Sequence, residues 1–142
     1  MLYHVMYSSQ ASGHMSAADL ELILDDARTG NAGRGITGVL VYADGVFLQI
    51  LEGEESVVRE LMASIEGDSR HEAVKVFQGS PIEERAFASW HMAYLAPSEA
   101  ELAQWMGLEG TATIDQLLDH VRDNEPRLPR VMVSIVEALA RA

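Results

Sequence analysis

A glutamine interrupts the most apolar run of the chain. Gln49 stands within Phe47-Leu48-Gln49-Ile50-Leu51, where both side-chain parities are otherwise apolar, as expected for a strand covered on both faces. A buried primary amide has two donors and an acceptor, and leaving one of them unpaired costs roughly 1–3 kcal/mol. Gln49 therefore predicts a specific buried polar contact, with a position at the edge of the sheet as the alternative.

A tyrosine on the opening strand is the first candidate for that contact. Tyr7 shares its parity with Tyr3 and Val5, and side chains two residues apart along a strand lie on one face. If the two strands belong to one sheet, the phenol of Tyr7 and the amide of Gln49 can project into the same layer. The alternative is that Tyr7 is an ordinary core tyrosine.

Other polar and aromatic residues accompany this pair. Asn31 follows the predicted first helix, where its amide could face the end of the sheet or cap the helix. Trp90 and Met92 are two apart on the predicted last strand and so would share a face, most simply as core residues. Arg70 and His71 follow the predicted second helix and could meet a phosphate, or lie in a solvated loop.

Composition and motif spacing argue against several kinds of chemistry. The 142 residues carry a net charge of −12 and contain no cysteine. The charge disfavours nucleic-acid binding, and the missing cysteines exclude disulfides, thiolate metal sites and a cysteine nucleophile. GNAGRG at 30–35 follows a predicted helix, which is the reverse of a dinucleotide fingerprint. We expect no metal site.

Patterning predicts seven elements over residues 1–95. Alternation at 2–8 indicates a strand, and helical spacing after Ser16 indicates a helix over about 16–29 that ends in the glycine cluster. Two apolar runs joined at Asp44-Gly45 predict a hairpin. A helix over 54–68, a strand at 73–79 and a strand at about 90–95 complete the order.

The order β-α-β-β-α-β-β predicts an α+β fold, a ferredoxin-like sheet with one extra strand and both helices on one face. Three helix-like segments in residues 96–142 are expected to cover the other face. No apolar run approaches the roughly 18 residues of a membrane span, so we expect no membrane association. The absence of cysteine fits a reducing compartment, so we expect a cytoplasmic protein.

Specific blocks of the sequence carry a family resemblance. They are LYHVMYSS at the start, SAADL at 16–20, GITGVLVYADGVFLQILEG at 35–53, DSRH at 68–71 and SWHMAY at 89–94. Together they resemble the BLUF domain, a blue-light sensor that binds a flavin between two helices above a ferredoxin-like sheet. The resemblance covers residues 1–95, which we predict to be the photosensory domain, and leaves 96–142 as a helical extension.

The resemblance implies roles for individual residues. It makes Tyr7 the photochemical electron donor and Gln49 the amide whose rearrangement records light. It places Asn31 at the polar edge of the flavin, Phe47 beside the ring, and Trp90 and Met92 in the signalling strand. It further implies that Ile23 and Ile65 clamp the ring and that Arg70 and His71 lie near the ribityl-phosphate.

The same resemblance shapes the expected function and its alternatives. We expect a non-enzymatic sensor that binds FAD, with FMN as the alternative, and that signals to an unidentified downstream protein and self-associates. Gly30 stands where many members have asparagine, which would remove one contact to the ring edge. The competing hypotheses are a flavin-free interaction module and a flavin-dependent redox enzyme.

Overall fold

The computed structural model describes residues 1–11, 16–67, 71–88, 90–123, 134–135 and 137–138. The chain divides into two compact units, Met1–Tyr94 and Leu95–Ala142. The elements are β1 (Leu2–Ala11), α1 (Ala17–Arg34), β2 (Thr37–Ala43), β3 (Val46–Glu54), α2 (Glu55–Glu66), β4 (His71–Pro81), β5 (Ala93–Leu95), α3 (Glu99–Trp105) and α4 (Ile114–Asp123).

The first unit is built on one five-stranded sheet with the order β4-β1-β3-β2-β5. β1 pairs antiparallel with both β3 and β4, and β2 pairs antiparallel with β3. The first four strands have the ferredoxin-like order, and β5 extends the sheet at its β2 edge. The predicted α+β fold and its element order are confirmed.

The hairpin between β2 and β3 closes at Asp44-Gly45. Both residues have positive φ, 48° and 74°, and Ala43 pairs with Val46 across the turn. Two successive residues with positive φ are the requirement of a type I′ turn, which suits the twist of the flanking strands. The predicted turn is confirmed, and it sets the register that carries Gln49.

Helix α1 is longer than the sequence pattern indicated. Ser16 caps it through a capping box with Asp19, as predicted. The helix continues through Gly30 to Arg34 and stops at Gly35, whose φ of 67° is left-handed. The predicted stop at 29 is therefore wrong, since a helix tolerates glycine and ends where the backbone turns left-handed.

The bounds of the last strands also differ from the prediction. β4 runs His71–Pro81 and so includes the predicted 73–79. β5 contains only Ala93–Leu95, so Trp90 and Met92 precede it in an irregular segment. Their expected shared face on a strand is wrong, because the periodicity of a strand does not apply outside it.

The core of the sheet lies against the two helices. Tyr3, Val5, Tyr7, Ile23, Leu24, Ile36, Leu40, Phe47, Leu51, Val58, Met62 and Met92 form one buried cluster. On β3, every residue from Val46 to Gly53 is buried, which confirms that this strand is covered on both faces. That residues 96–142 supply the second cover stays a prediction.

The second unit contains two described helices. α3 begins with a capping box formed by Ser98 and Glu101, and α4 follows Thr113. The third predicted helix falls mostly outside the described residues, of which 134–135 and 137–138 are helical. Within the described part of the chain, no helix is both long and apolar enough to cross a membrane.

Candidate functional site

The centre of the site is a cross-strand pair in the middle of the sheet. Tyr7 on β1 lies directly opposite Gln49 on β3, and the Tyr7 hydroxyl donates a hydrogen bond to Gln49 Oε1. Tyr7 is 0% and Gln49 6% exposed. The phenol and the amide therefore lie in one layer on the helix-covered face, and the alternative of an edge position for Gln49 is wrong.

The other end of the Gln49 amide meets a methionine. Gln49 Nε2 donates to the sulfur of Met92 at 3.4 Å, and Met92 is 3% exposed. A thioether is a weak acceptor, while an amide nitrogen has two protons to donate. The structure thus orders three buried side chains in a row, Tyr7, Gln49 and Met92, whose last link is weak.

Asn31 lies beside this row, on the last turn of α1. Its backbone carbonyl accepts from the Gly35 and Ile36 amides and closes the helix end, while its side-chain Nδ2 donates to the His91 carbonyl at 2.6 Å. The side chain is therefore not the helix cap. Asn31 is 2% exposed, and among the described residues none donates a hydrogen bond to its Oδ1.

The predicted apolar residues come from the elements expected of them. Ile23 of α1 and Phe47 of β3 are buried in the core cluster, and Ile65 of α2 packs against it partly buried. Phe47 also contacts Tyr42, with ring centroids 5.1 Å apart. The two helices thus present aliphatic side chains to the layer that holds Tyr7 and Gln49.

Arg70, His71 and Trp90 complete the set of predicted site residues. Arg70 lies outside the described residues. His71 begins β4, but its side chain also lies outside them. Trp90 is partly exposed, and its carbonyl accepts from the Gly38 amide at 3.0 Å.

The opposite face of β3 carries a polar cluster that the sequence pattern did not reveal. Glu52 is 1% exposed. Its Oε1 accepts from the Thr37 hydroxyl at 3.0 Å and the Phe87 amide at 2.9 Å, and its Oε2 accepts from the Ala86 amide at 2.6 Å. Arg85 donates to Thr37 Oγ1 and to the Glu52 carbonyl at 2.9 and 3.2 Å.

His4 lies at the margin of that cluster. It is the cross-strand partner of Glu52, and its Nε2 is 3.0 Å from Ser80 Oγ. Burial lowers the pKa of His4 below its ordinary value of 6.5, and the Glu52 carboxylate opposes that shift in part. The His4 imidazole is therefore partly removed from water, which favours its neutral form.

Flavin is a cofactor that these residues fit. An isoalloxazine ring presents carbonyl and N5 acceptors and a ring N–H along one edge. The layer offers a buried Asn31 Oδ1 without a described donor and a Gln49 amide nitrogen bonded only weakly. Ile23 and Ile65 supply apolar surface from the two helices. These buried polar atoms and aliphatic side chains match the edge and the faces of such a ring.

Comparisons with known proteins agree with this geometry. The model of the BLUF family, described as sensors of blue-light using FAD, matches residues 2–93. Photoactivated adenylate cyclase subunit beta of Euglena longa is 35% identical over 133 residues, which is 93% of this chain and 15% of that protein. The chain thus spans only a small part of this curated relative.

Two solved structures resemble the whole fold. The dark-state structure of BlrB, a BLUF protein, superposes with a TM-score of 0.78 at 26% identity and covers 96% of both chains. The photo-activated state of BlsA gives 0.79 at 29% identity, covering 96% of this chain and 95% of the other. With its Tyr7–Gln49 pair in place and the family match over most of its length, this chain belongs to the BLUF family of blue-light sensors.

Proposed function

We propose that this chain binds a flavin on the helix-covered face of its sheet and reports blue light through the row Tyr7–Gln49–Met92. The observation that carries the proposal is the geometry of that row. Gln49 accepts from Tyr7 with its oxygen and donates to Met92 with its nitrogen. A change in the hydrogen bond of the Tyr7 phenol therefore alters the hydrogen bond to Met92 through the single amide of Gln49.

The proposed flavin contacts comprise one at the polar ring edge, three with apolar side chains and two at the ribityl-phosphate side. Asn31 Oδ1 accepts from the polar ring edge while Nδ2 stays bonded to the His91 carbonyl. Ile23 and Ile65 pack on the ring, and Phe47 lines the site beside it. By family resemblance Arg70 and His71 meet the ribityl-phosphate side.

Tyr7 supplies the electron and the proton of the light reaction. A bound flavin contributes absorption of blue light and a strongly oxidising excited state. Tyr7 gives up an electron, and its proton follows the existing hydrogen bond to Gln49 Oε1. Both return to Tyr7, so the chain finishes without net oxidation and the response is reversible.

Gln49 converts that transfer into a lasting change of hydrogen bonds. The two ends of a primary amide differ, since one donates and the other accepts. When they exchange places, Met92 faces an oxygen instead of an N–H and loses its donor. The altered network shifts the flavin absorption to the red and changes the environment of the segment that contains Trp90 and Met92.

Output from this segment is proposed to pass through residues 96–142 to another protein. We propose a non-enzymatic sensor that self-associates and acts on a downstream partner. FAD is the proposed cofactor, in line with the family description. Chromatography of the flavin released on denaturation distinguishes FAD from FMN, and its absence would favour a flavin-free module.

Gln49→Leu tests the proposal directly. The leucine fills the same space but can neither accept from Tyr7 nor donate to Met92, so we expect flavin to stay bound and the light-induced red shift to disappear. Tyr7→Phe should abolish the shift as well. Visible absorption before and after blue light measures both.

Gln10→Leu is the matched control, since Gln10 is an exposed glutamine on β1 and its variant should shift normally. A normal red shift in Gln49→Leu would refute the proposed role of the amide.

A further inference from the structure

Three consecutive carbonyl groups are held in the segment 90–92. The Trp90 carbonyl accepts from the Gly38 amide at 3.0 Å. The His91 carbonyl accepts from Asn31 Nδ2 at 2.6 Å, and the Met92 carbonyl accepts from Arg28 Nε at 3.0 Å. These three residues precede β5, and groups from β2 and α1 set the path of their backbone.

Two of the three donors belong to one helix face. Arg28 and Asn31 are three residues apart on α1, which places them as neighbours on the helix surface. They donate to successive carbonyls, those of His91 and Met92. We call Arg28 and Asn31 the α1 clamp.

The α1 clamp holds Met92, the residue whose sulfur accepts a hydrogen bond from the Gln49 amide. The Met92 sulfur lies 3.4 Å from Gln49 Nε2, and the carbonyl of the same residue is the acceptor for Arg28. A hydrogen bond from an ionised guanidinium is stronger than one between neutral groups. Loss of the Arg28 bond therefore frees the backbone that carries the sulfur without touching Tyr7 or Gln49.

We infer that Arg28 is a positioning residue that holds Met92 beside Gln49 and thereby favours return to the dark arrangement. This inference rests on the proposed function, since it concerns the recovery that follows the red shift. Asn31 is unsuitable for testing it, because the same side chain is proposed to contact the flavin. Arg28 has no proposed contact with the cofactor and is exposed as a residue.

The test is the rate of dark recovery in Arg28→Ala. We expect the flavin content and the amplitude of the red shift to be unchanged and recovery to be about three- to tenfold slower, the rate effect of losing part of one charge-assisted hydrogen bond. Arg28→Lys keeps a charged donor and should recover at a rate nearer to the wild type. Recovery is followed by visible absorption after a blue pulse.

A second background separates positioning from a general effect on the helix. In Met92→Ala the sulfur is absent, so adding Arg28→Ala should not slow recovery further. Arg34→Ala is the matched control, because Arg34 is an exposed arginine on the last turn of α1, and it should recover like the wild type.

The possible failures are distinguishable. A wild-type protein without any red shift would refute the proposed function itself. A normal wild-type shift with equal or faster recovery in Arg28→Ala would overturn this inference alone. So would a slowing by Arg28→Ala that persists in Met92→Ala or that Arg28→Lys does not relieve.

Discussion

Gln49 and Glu52 are both buried polar residues of β3, but only the burial of Gln49 could be predicted from the sequence. Gln49 could be predicted as a buried polar contact because its amide stands between two apolar residues on either side. Glu52 is as deeply buried, but it precedes Gly53 and Glu54 at the end of the apolar run. An acidic residue in that position is typical of a solvent-exposed loop. The Glu52 carboxylate accepts from the Thr37 hydroxyl and from the backbone amides of residues 86 and 87, and no sequence pattern places those amides opposite β3.

The titration of a single residue, His4, makes the free energy of unfolding depend on pH. Its pKa in the folded protein is lowered by burial from 6.5, so the unfolded chain binds the proton more readily than the folded one. The contribution of neutral His4 to the free energy of unfolding is therefore fully present above about pH 7.5. It decreases as the pH falls through 6.5 towards the pKa of His4 in the folded protein. His4→Gln keeps a polar group opposite Ser80 and removes this titration.

Urea unfolding at pH 7.5 and 5.5 measures the effect. The wild type should lose more stability between the two pH values than His4→Gln, because titrations of all other groups are common to both. An equal loss in the two proteins would show that His4 contributes nothing to the pH dependence.

At the scale of elements, the types and their order could be predicted, whereas the end of α1 and the start of β5 could not. The 3.6-residue and 2-residue periods distinguish helices from strands, and Asp44-Gly45 signals its own turn. The end of α1 is decided by which glycine adopts positive φ, here Gly35, and the residue types alone do not decide this. Likewise, the segment 90–92 is shaped by side chains from α1, so its strand-like alternation is misleading.

Glu52 ties the irregular stretch before that segment to the sheet. Its carboxylate accepts from Ala86, Phe87 and Thr37, and Glu52→Gln leaves only one side-chain oxygen for these donors. We expect a loss of about 1–3 kcal/mol in the free energy of unfolding, the penalty of an unsatisfied buried group. Urea denaturation of the two proteins gives this difference.

The control for this substitution is Glu60→Gln on the exposed face of α2. An exposed carboxylate away from a buried network should change stability by less than about 0.5 kcal/mol. If Glu52→Gln were no more destabilising than Glu60→Gln, the carboxylate would not be the anchor of residues 85–87.

At the scale of the whole molecule, the family match and the Tyr7–Gln49 pair give a coherent account of a light sensor. The family model covers residues 2–93, close to the first compact unit of Met1–Tyr94. The pairing of Tyr7 with Gln49 is left open by the residue pattern and is implied by the family resemblance, whereas the element order could be predicted from alternation and helical spacing. The α1 clamp could not, since Arg28 reads as an ordinary surface residue of a helix.

The most direct test of the central claim is the visible absorption spectrum of the purified protein in the dark, immediately after blue light and during recovery. We predict a yellow protein whose flavin bands move to the red and return in darkness. A protein that binds no flavin, or whose flavin bleaches without a red shift, would contradict the account.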